Sequence, residues 1–183
     1  MSEITTLLHA AGLGDGAASD RLFTLLYSDL RRLARSRLRK SGEMTLMETT
    51  ALVHESFLRF RGAGAIDFPD RDHFLSYASR VMRTVVVDLV RARQAERRGG
   101  HAPHVTLDTS VPDGGAAHDE EILQVHEALE AFAKVDARAA SMVELRYFGG
   151  LSEPEIAAVL GVTERTVQRD WQKARLFLST LLK

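Results

Sequence analysis

Gln168, Arg169 and Gln172 stand close together in a stretch that also holds Thr166, Lys173 and Arg175. A guanidinium can donate two parallel hydrogen bonds to the major-groove edge of guanine, and a carboxamide can pair in the same way with adenine. Arg169 and Gln168 are therefore fitted to read bases. Thr166, Lys173 and Arg175 suit phosphate contacts, which fix a protein's position on a duplex without reading its sequence. The six side chains act together only if one helix presents them. Val167, Trp171 and Ala174, spaced by four and three residues, define the inward face of such a helix and leave the six outward or on its flanks.

That helix needs a partner to set its angle, and the preceding residues supply one. Ser152 and Glu155 have capping-box spacing, Pro154 is tolerated in a first helical turn, and Gly161 can take the left-handed conformation that ends a short helix after Leu160. Thr163 can cap the second helix. Ala157, Gly161 and Val167 provide a small residue at the crossing, a glycine turn and an apolar lock, the requirements of a helix-turn-helix. The second helix would enter a major groove N-terminus first. A plain helical hairpin with a charged outer face shares part of the pattern, but not the glycine turn, two caps and basic second helix together.

The chain has 183 residues, no cysteine and a formal net charge of -1. Without thiols there are no disulfides, thiolate metal sites or thiol redox switch, and a reducing cytoplasm is the expected location. No apolar stretch approaches the roughly 18 residues of a membrane span, so no membrane association is expected. Basic residues cluster at 31–40, 91–98 and 165–175, while Asp108, Asp113, Asp119, Glu120 and Glu121 gather between the last two. Separated basic blocks suit a protein that touches a polyanion at discrete places. Enzymatic chemistry finds no support. His54 and Glu55 lack the second histidine of a zinc-protease helix, no glycine-rich phosphate loop occurs, and the seven histidines are scattered. No catalytic residue, metal or cofactor is expected.

Helical periodicity runs almost throughout, without the alternation of strands, and predicts an all-α chain. Residues 1–98 form a first helical domain and 119–183 a second. In the first, Ser19 is placed to cap a helix carrying Leu22, Leu26, Leu30 and Leu33; another begins near Thr49 or Thr50; Asp70 starts a long one. Residues 99–118, rich in glycine, aspartate and small side chains, read as a flexible acidic linker.

The motifs in this order resemble the extracytoplasmic-function (ECF) sigma factors. Leu151 to Arg175 is similar to the family's domain four, which binds the minus-35 element, and Ala140 to Tyr147 to the start of that domain. Thr50 to Arg59 resembles the helix that binds the polymerase clamp, and Phe74 to Arg91 the segment that melts the promoter and recognises its minus-10 element. The resemblance implies a subunit that directs core RNA polymerase to promoter DNA. It implies that Leu52, Val53, Glu55 and Leu58 meet the polymerase, although Leu52, Phe57 and Leu58 also read as core. It places Arg80, Arg83, Thr84, Asp88 and Arg91 at the unwound minus-10 strand, with Arg97 and Arg98 holding nearby phosphates. An anti-sigma protein is a further class of partner it allows.

Two departures stand out. Acidic residues usual before the clamp-binding leucine are replaced by Glu48, Thr49, Thr50 and Ala51, and Thr84 stands where the family often has asparagine. A phosphate on threonine would add about -1.5 to -2 charges. Thr50, and less favourably Thr49, is therefore the expected target of a Ser/Thr protein kinase, as the resemblance to a kinase-regulated branch implies. One of the two threonines also has the position of a helix cap. The alternative reading is a stand-alone helix-turn-helix regulator, which leaves Thr50 to Arg98 without a purpose.

Overall fold

Leucines at 22, 26, 30 and 33 return to the same side of a helix every three or four residues, and all four are buried. They form the spine of a first core in the computed structural model, which describes residues 3–39, 46–63, 68–98 and 115–182. Four helices enclose this core: α1 (Glu3–Gly12), α2 (Gly16–Arg39), α3 (Leu46–Gly62) and α4 (Arg71–Arg97). Leu52 and Val53 of α3 and Phe74, Leu75, Ala78 and Met82 of α4 pack against the α2 leucines. Each fully buried Leu contributes roughly 1.5–3 kcal/mol.

The second core belongs to α5 (Gly115–Val135), α6 (Ala137–Val143), a π-helical turn (Glu144–Phe148), α7 (Glu153–Leu160) and α8 (Glu164–Leu181). Phe132, Met142, Leu145, Ile156, Val167 and Ala174 are its centre. No strand occurs among the described residues. The chain is all-α, as its periodicity predicts, and its two apolar clusters share no residue.

Three boundaries differ from expectation. Asp15, not Ser19, caps α2: its carboxylate accepts from the backbone N–H of Ala17 at 2.9 Å and Ala18 at 3.1 Å, while the Ser19 hydroxyl donates to the Asp15 carbonyl at 3.0 Å. Helix α3 is already under way at Leu46, so neither Thr49 nor Thr50 caps it. The segment read as a linker lies outside the described residues up to 114; residues 115–118 begin α5 instead. Asp70 starts α4 as expected, accepting from the His73 backbone N–H at 2.9 Å.

Candidate nucleic-acid interface

Local backbone chemistry fixes the C-terminal helix pair. The Glu155 carboxylate accepts from the Ser152 backbone N–H at 2.8 Å and from its hydroxyl at 2.7 Å, closing the start of α7. Those bonds from Ser152, its hydroxyl first, hold the Glu155 carboxyl below its ordinary range. At the other end Gly161 has φ 63° and ψ 35°. The Val162 N–H donates to the Ala157 carbonyl and the Gly161 N–H to that of Ala158. These are the paired bonds of a Schellman cap, which turns the chain sharply into α8. Thr163 then caps α8, its hydroxyl accepting from the Thr166 N–H at 3.3 Å.

Gly149, before α7, meets a different requirement. A Cβ there would lie 2.6 Å from the Leu145 carbonyl oxygen and 3.0 Å from Leu151 Cδ1. The chain closes tightly after the π-helical turn, with Leu151 N–H donating back to that same carbonyl at 3.1 Å.

Helix α8 buries Val167, Asp170 and Ala174. Trp171 is half-buried, with the Arg146 guanidinium 4.6 Å above its ring, and packs on the second core as expected. Gln168, Arg169, Gln172, Lys173 and Arg175 are exposed, and Thr166 partly so. They do not form one cluster. Arg169 and Gln172 share the outermost ridge with Arg165, whereas Gln168 and Arg175 lie on a flank. Gln168 donates to Glu153 at 2.8 Å, which with Arg146 keeps that carboxyl below its ordinary range. Lys173 reaches Asp136 at 2.9 Å. Arg165 was not among the expected site residues; its one-turn spacing from Arg169 was the signal available. The buried Asp170 is held by Arg138 of α6 at 2.9 Å.

Along α4, Arg80, Thr84, Arg91, Arg97 and Arg98 are exposed. Arg83 is not: its side chain is 15 % exposed and lies against the C-terminal half. Asp88 pairs with Arg59 of α3 at 2.8 Å, tying the two helices together. Of the four expected polymerase contacts on α3, two are buried and two exposed. Leu52 and Val53 are 3 % and 0 % exposed, because the face that carries them packs into the first core. Glu55 is exposed and Leu58 is 62 % exposed. Phe57 leans on Phe23, ring centres 4.2 Å apart, in keeping with its core reading. Thr49 is wholly buried, and its hydroxyl has no hydrogen-bond partner among the described residues; Thr50 is half-buried. Among the described residues no group of three or more potential ligands could hold a metal, and no helix is long and apolar enough to cross a membrane.

A capped helix-turn-helix with an arginine and glutamine ridge, joined to a second helical core bearing a long basic helix, places the chain in the helix-turn-helix class. The sequence model described as "ECF sigma factor" matches residues 1–183, and the chain belongs to that family. Its role is that of a sigma factor in transcription initiation. No curated protein sequence matches it. Among solved structures, "Structure of CnrH in complex with the cytosolic domain of CnrY" is similar at 24 % identity over 99 % of this chain and 97 % of that one, with a TM-score of 0.43. The stand-alone regulator is set aside, since the family spans the N-terminal half as well.

Proposed function

We propose that α8 reads the promoter's minus-35 element, α4 handles the unwound minus-10 strand, and α3 docks on the clamp of core RNA polymerase. The observation that carries this reading is the ridge of α8. Arg169, 72 % exposed, and Gln172 project from a helix whose axis is set by two caps and a Schellman turn. Base reading rests on these two and on Gln168, once it leaves Glu153. Thr166, Lys173 and Arg175, with the added Arg165, hold phosphates. On α4, Arg80, Thr84, Arg91 and Arg98 are open to DNA, and Arg97, also exposed, is paired with Asp119. On α3, Leu58 supplies an exposed apolar contact and Glu55 the charge beside it.

Activation by a protein kinase belongs to the same reading, at Thr50. Thr49 cannot meet a kinase while its hydroxyl stays buried, whereas Thr50 is half-buried in the first half of α3. A phosphate there adds about -1.5 to -2 charges and restores the acidity that Thr49, Thr50 and Ala51 lack. A cytoplasmic location and an anti-sigma partner complete the proposal.

The test is in vitro transcription by core polymerase on the chain's own upstream regions, with wild type, Thr50→Glu and Thr50→Ala side by side. Specific initiation supports the sigma assignment of these helices, and initiation by the Glu variant alone supports the switch. Equal core binding by the Glu and Ala variants removes the switch. Specific DNA binding without initiation by any form removes the α3 and α4 assignments.

A further inference from the structure

Arg83 is enclosed by groups from the C-terminal half. Its Nη1 lies 2.6 Å from His126 Nδ1, its Nη2 donates to Glu130 at 3.0 Å, and its Nε is 2.9 Å from Glu144. Further along α4, Arg93 meets Asp119 at 3.0 Å and Arg97 pairs with the same carboxylate. Near the start of α4, Glu155 feels the charges of Arg71 and of Arg32 on α2. The C-terminal half therefore runs antiparallel along α4, from Asp119 against its last turns to Glu155 near its first.

The residues involved form two matching stripes. Arg83, Val87, Val90 and Arg97 recur at helical spacing on one face of α4, with Arg93 at its edge, and Asp119, Leu123, His126 and Glu130 on one face of α5. Val87 and Val90 are 2 % and 0 % exposed although neither belongs to the first core. Asp119 and Glu144 are 2 % and 5 % exposed, and the ion pairs named for both lead to α4. Helix α8, in contrast, packs only on α5, α6 and α7 among the described residues.

We propose that this seam is an internal clasp: carboxylates of the C-terminal half occupy the arginines of α4 in place of DNA phosphates, so the resting chain withholds Arg83, Arg93 and Arg97 while leaving α8 open. The proposal rests on reading α4 as the single-strand surface. Its chemistry suits a reversible contact. Carboxylates and phosphates compete for the same guanidinium forks, so a polyanion can displace the clasp, and salt weakens it. A seam closed mainly by apolar residues would offer DNA no such exchange. The closed chain can still bind duplex DNA through α8, but cannot hold an unwound strand along this face.

The absence of cysteine allows a direct test. Cysteines introduced at Leu13, 78 % exposed, and at the exposed Ser179 take two dyes, one on each half. Energy transfer is compared in the otherwise unaltered chain and in Asp119→Asn/Glu130→Gln, at low and high salt. Binding of fluorescent random-sequence single strands and of duplexes is measured on the same proteins. Trp171 fluorescence verifies that the variant's second core is folded. In the expected result, the variant and high salt both change transfer. The variant binds single strands at least about fivefold tighter, the lower end of ordinary coupling between sites, with duplex affinity unchanged. Transfer that is the same in the unaltered chain at low and high salt overturns the clasp itself. Transfer that changes without a gain in single-strand affinity overturns the inhibition, because α4 is then not the single-strand surface.

Discussion

Gly149 and Gly161 bracket α7, but the structure gives them different reasons to be glycine, and alanine should separate the two. At Gly161 the added Cβ meets nothing within 4 Å, so the whole cost is conformational, the φ of +63°. Left-handed backbone costs a residue with a Cβ about 1–2 kcal/mol. The smaller conformational freedom of alanine in the unfolded chain returns about 0.4–1 kcal/mol. A net loss of about 1 kcal/mol is expected. At Gly149 φ is -76°, an ordinary value, and the obstacle is steric: 2.6 Å to a backbone carbonyl that also accepts from Leu151. The nearest obstacle is backbone rather than the movable end of a side chain, so the π-helical turn must shift, at a cost at the upper end of the roughly 1–3 kcal/mol seen for overpacking. Urea unfolding followed by Trp171, the single tryptophan, reports the second core. With an m-value of about 1–1.5 kcal/mol per molar, Gly161→Ala should lower the midpoint by about 1 M and Gly149→Ala by about twice that. Gly161→Asn should lose less than Gly161→Ala, because asparagine tolerates the left-handed region. Equal losses for the two alanine variants, or Asn no better than Ala at 161, would refute this division of causes.

Arg169→Ala should relax discrimination at one or two base pairs by about 1–3 kcal/mol, whereas Arg175→Ala should weaken all duplexes alike and flatten the salt dependence; competition binding against single-base variants distinguishes them. Arg138→Ala, which strips the buried Asp170 of its 2.9 Å partner, should cost about 1–3 kcal/mol, and more than Asp170→Asn, which leaves a half-exposed guanidinium to water; paired urea titrations check the order. The pH response concerns His126. Its burial, with Arg83 and then Arg91 beside it, holds its pKa below the ordinary 6.5, against Glu130 and Glu144. The open chain then binds the proton more readily than the closed one, so closure is fully favoured above about pH 6.5 and weakens as pH falls through and below that value. Energy transfer between the two halves should follow that trend in wild type, and His126→Gln should remove it.

The parts of the interface that sequence reveals are those decided by a few adjacent residues. Ser152, Glu155, Gly161 and Thr163 act through bonds to backbone within five residues, so their spacing alone predicts both caps and the turn. The same locality explains an error: Asp15 and Ser19 are both suited to cap α2, and only the folded chain shows which side chain faces the free N–H groups. Helix α3 is harder to read because apolar residues surround it. Leu52, Val53, Phe57, Leu58 and Phe60 do not define one stripe, and packing alone decides that Leu52 and Val53 go inward and Leu58 outward. The seam on α4 was least legible, since Asp119, Glu130 and Glu144 are separated from Arg83, Arg93 and Arg97 by the unpatterned segment 99–114. A charge on a helix face announces solvent as readily as a partner, and only contact distinguishes them.

The energies of these contacts also differ in scale, and that difference bears on how the chain works. Each half closes over its own apolar cluster, with several side chains wholly removed from water on either side. Losing one such side chain costs several kcal/mol. Between the halves the contacts include ion pairs with at least one partly exposed member, such as Glu130 with a side chain 54 % exposed and Arg97 at 43 %. Salt weakens such pairs most where both members reach water. Separation of the halves along α4 also uncovers Val87, Val90, Asp119 and Glu144, but it leaves both apolar clusters intact and is a smaller perturbation than unfolding either of them. A subunit built this way can exchange its internal carboxylates for phosphates while the helix-turn-helix and the clamp-facing α3 keep their shapes.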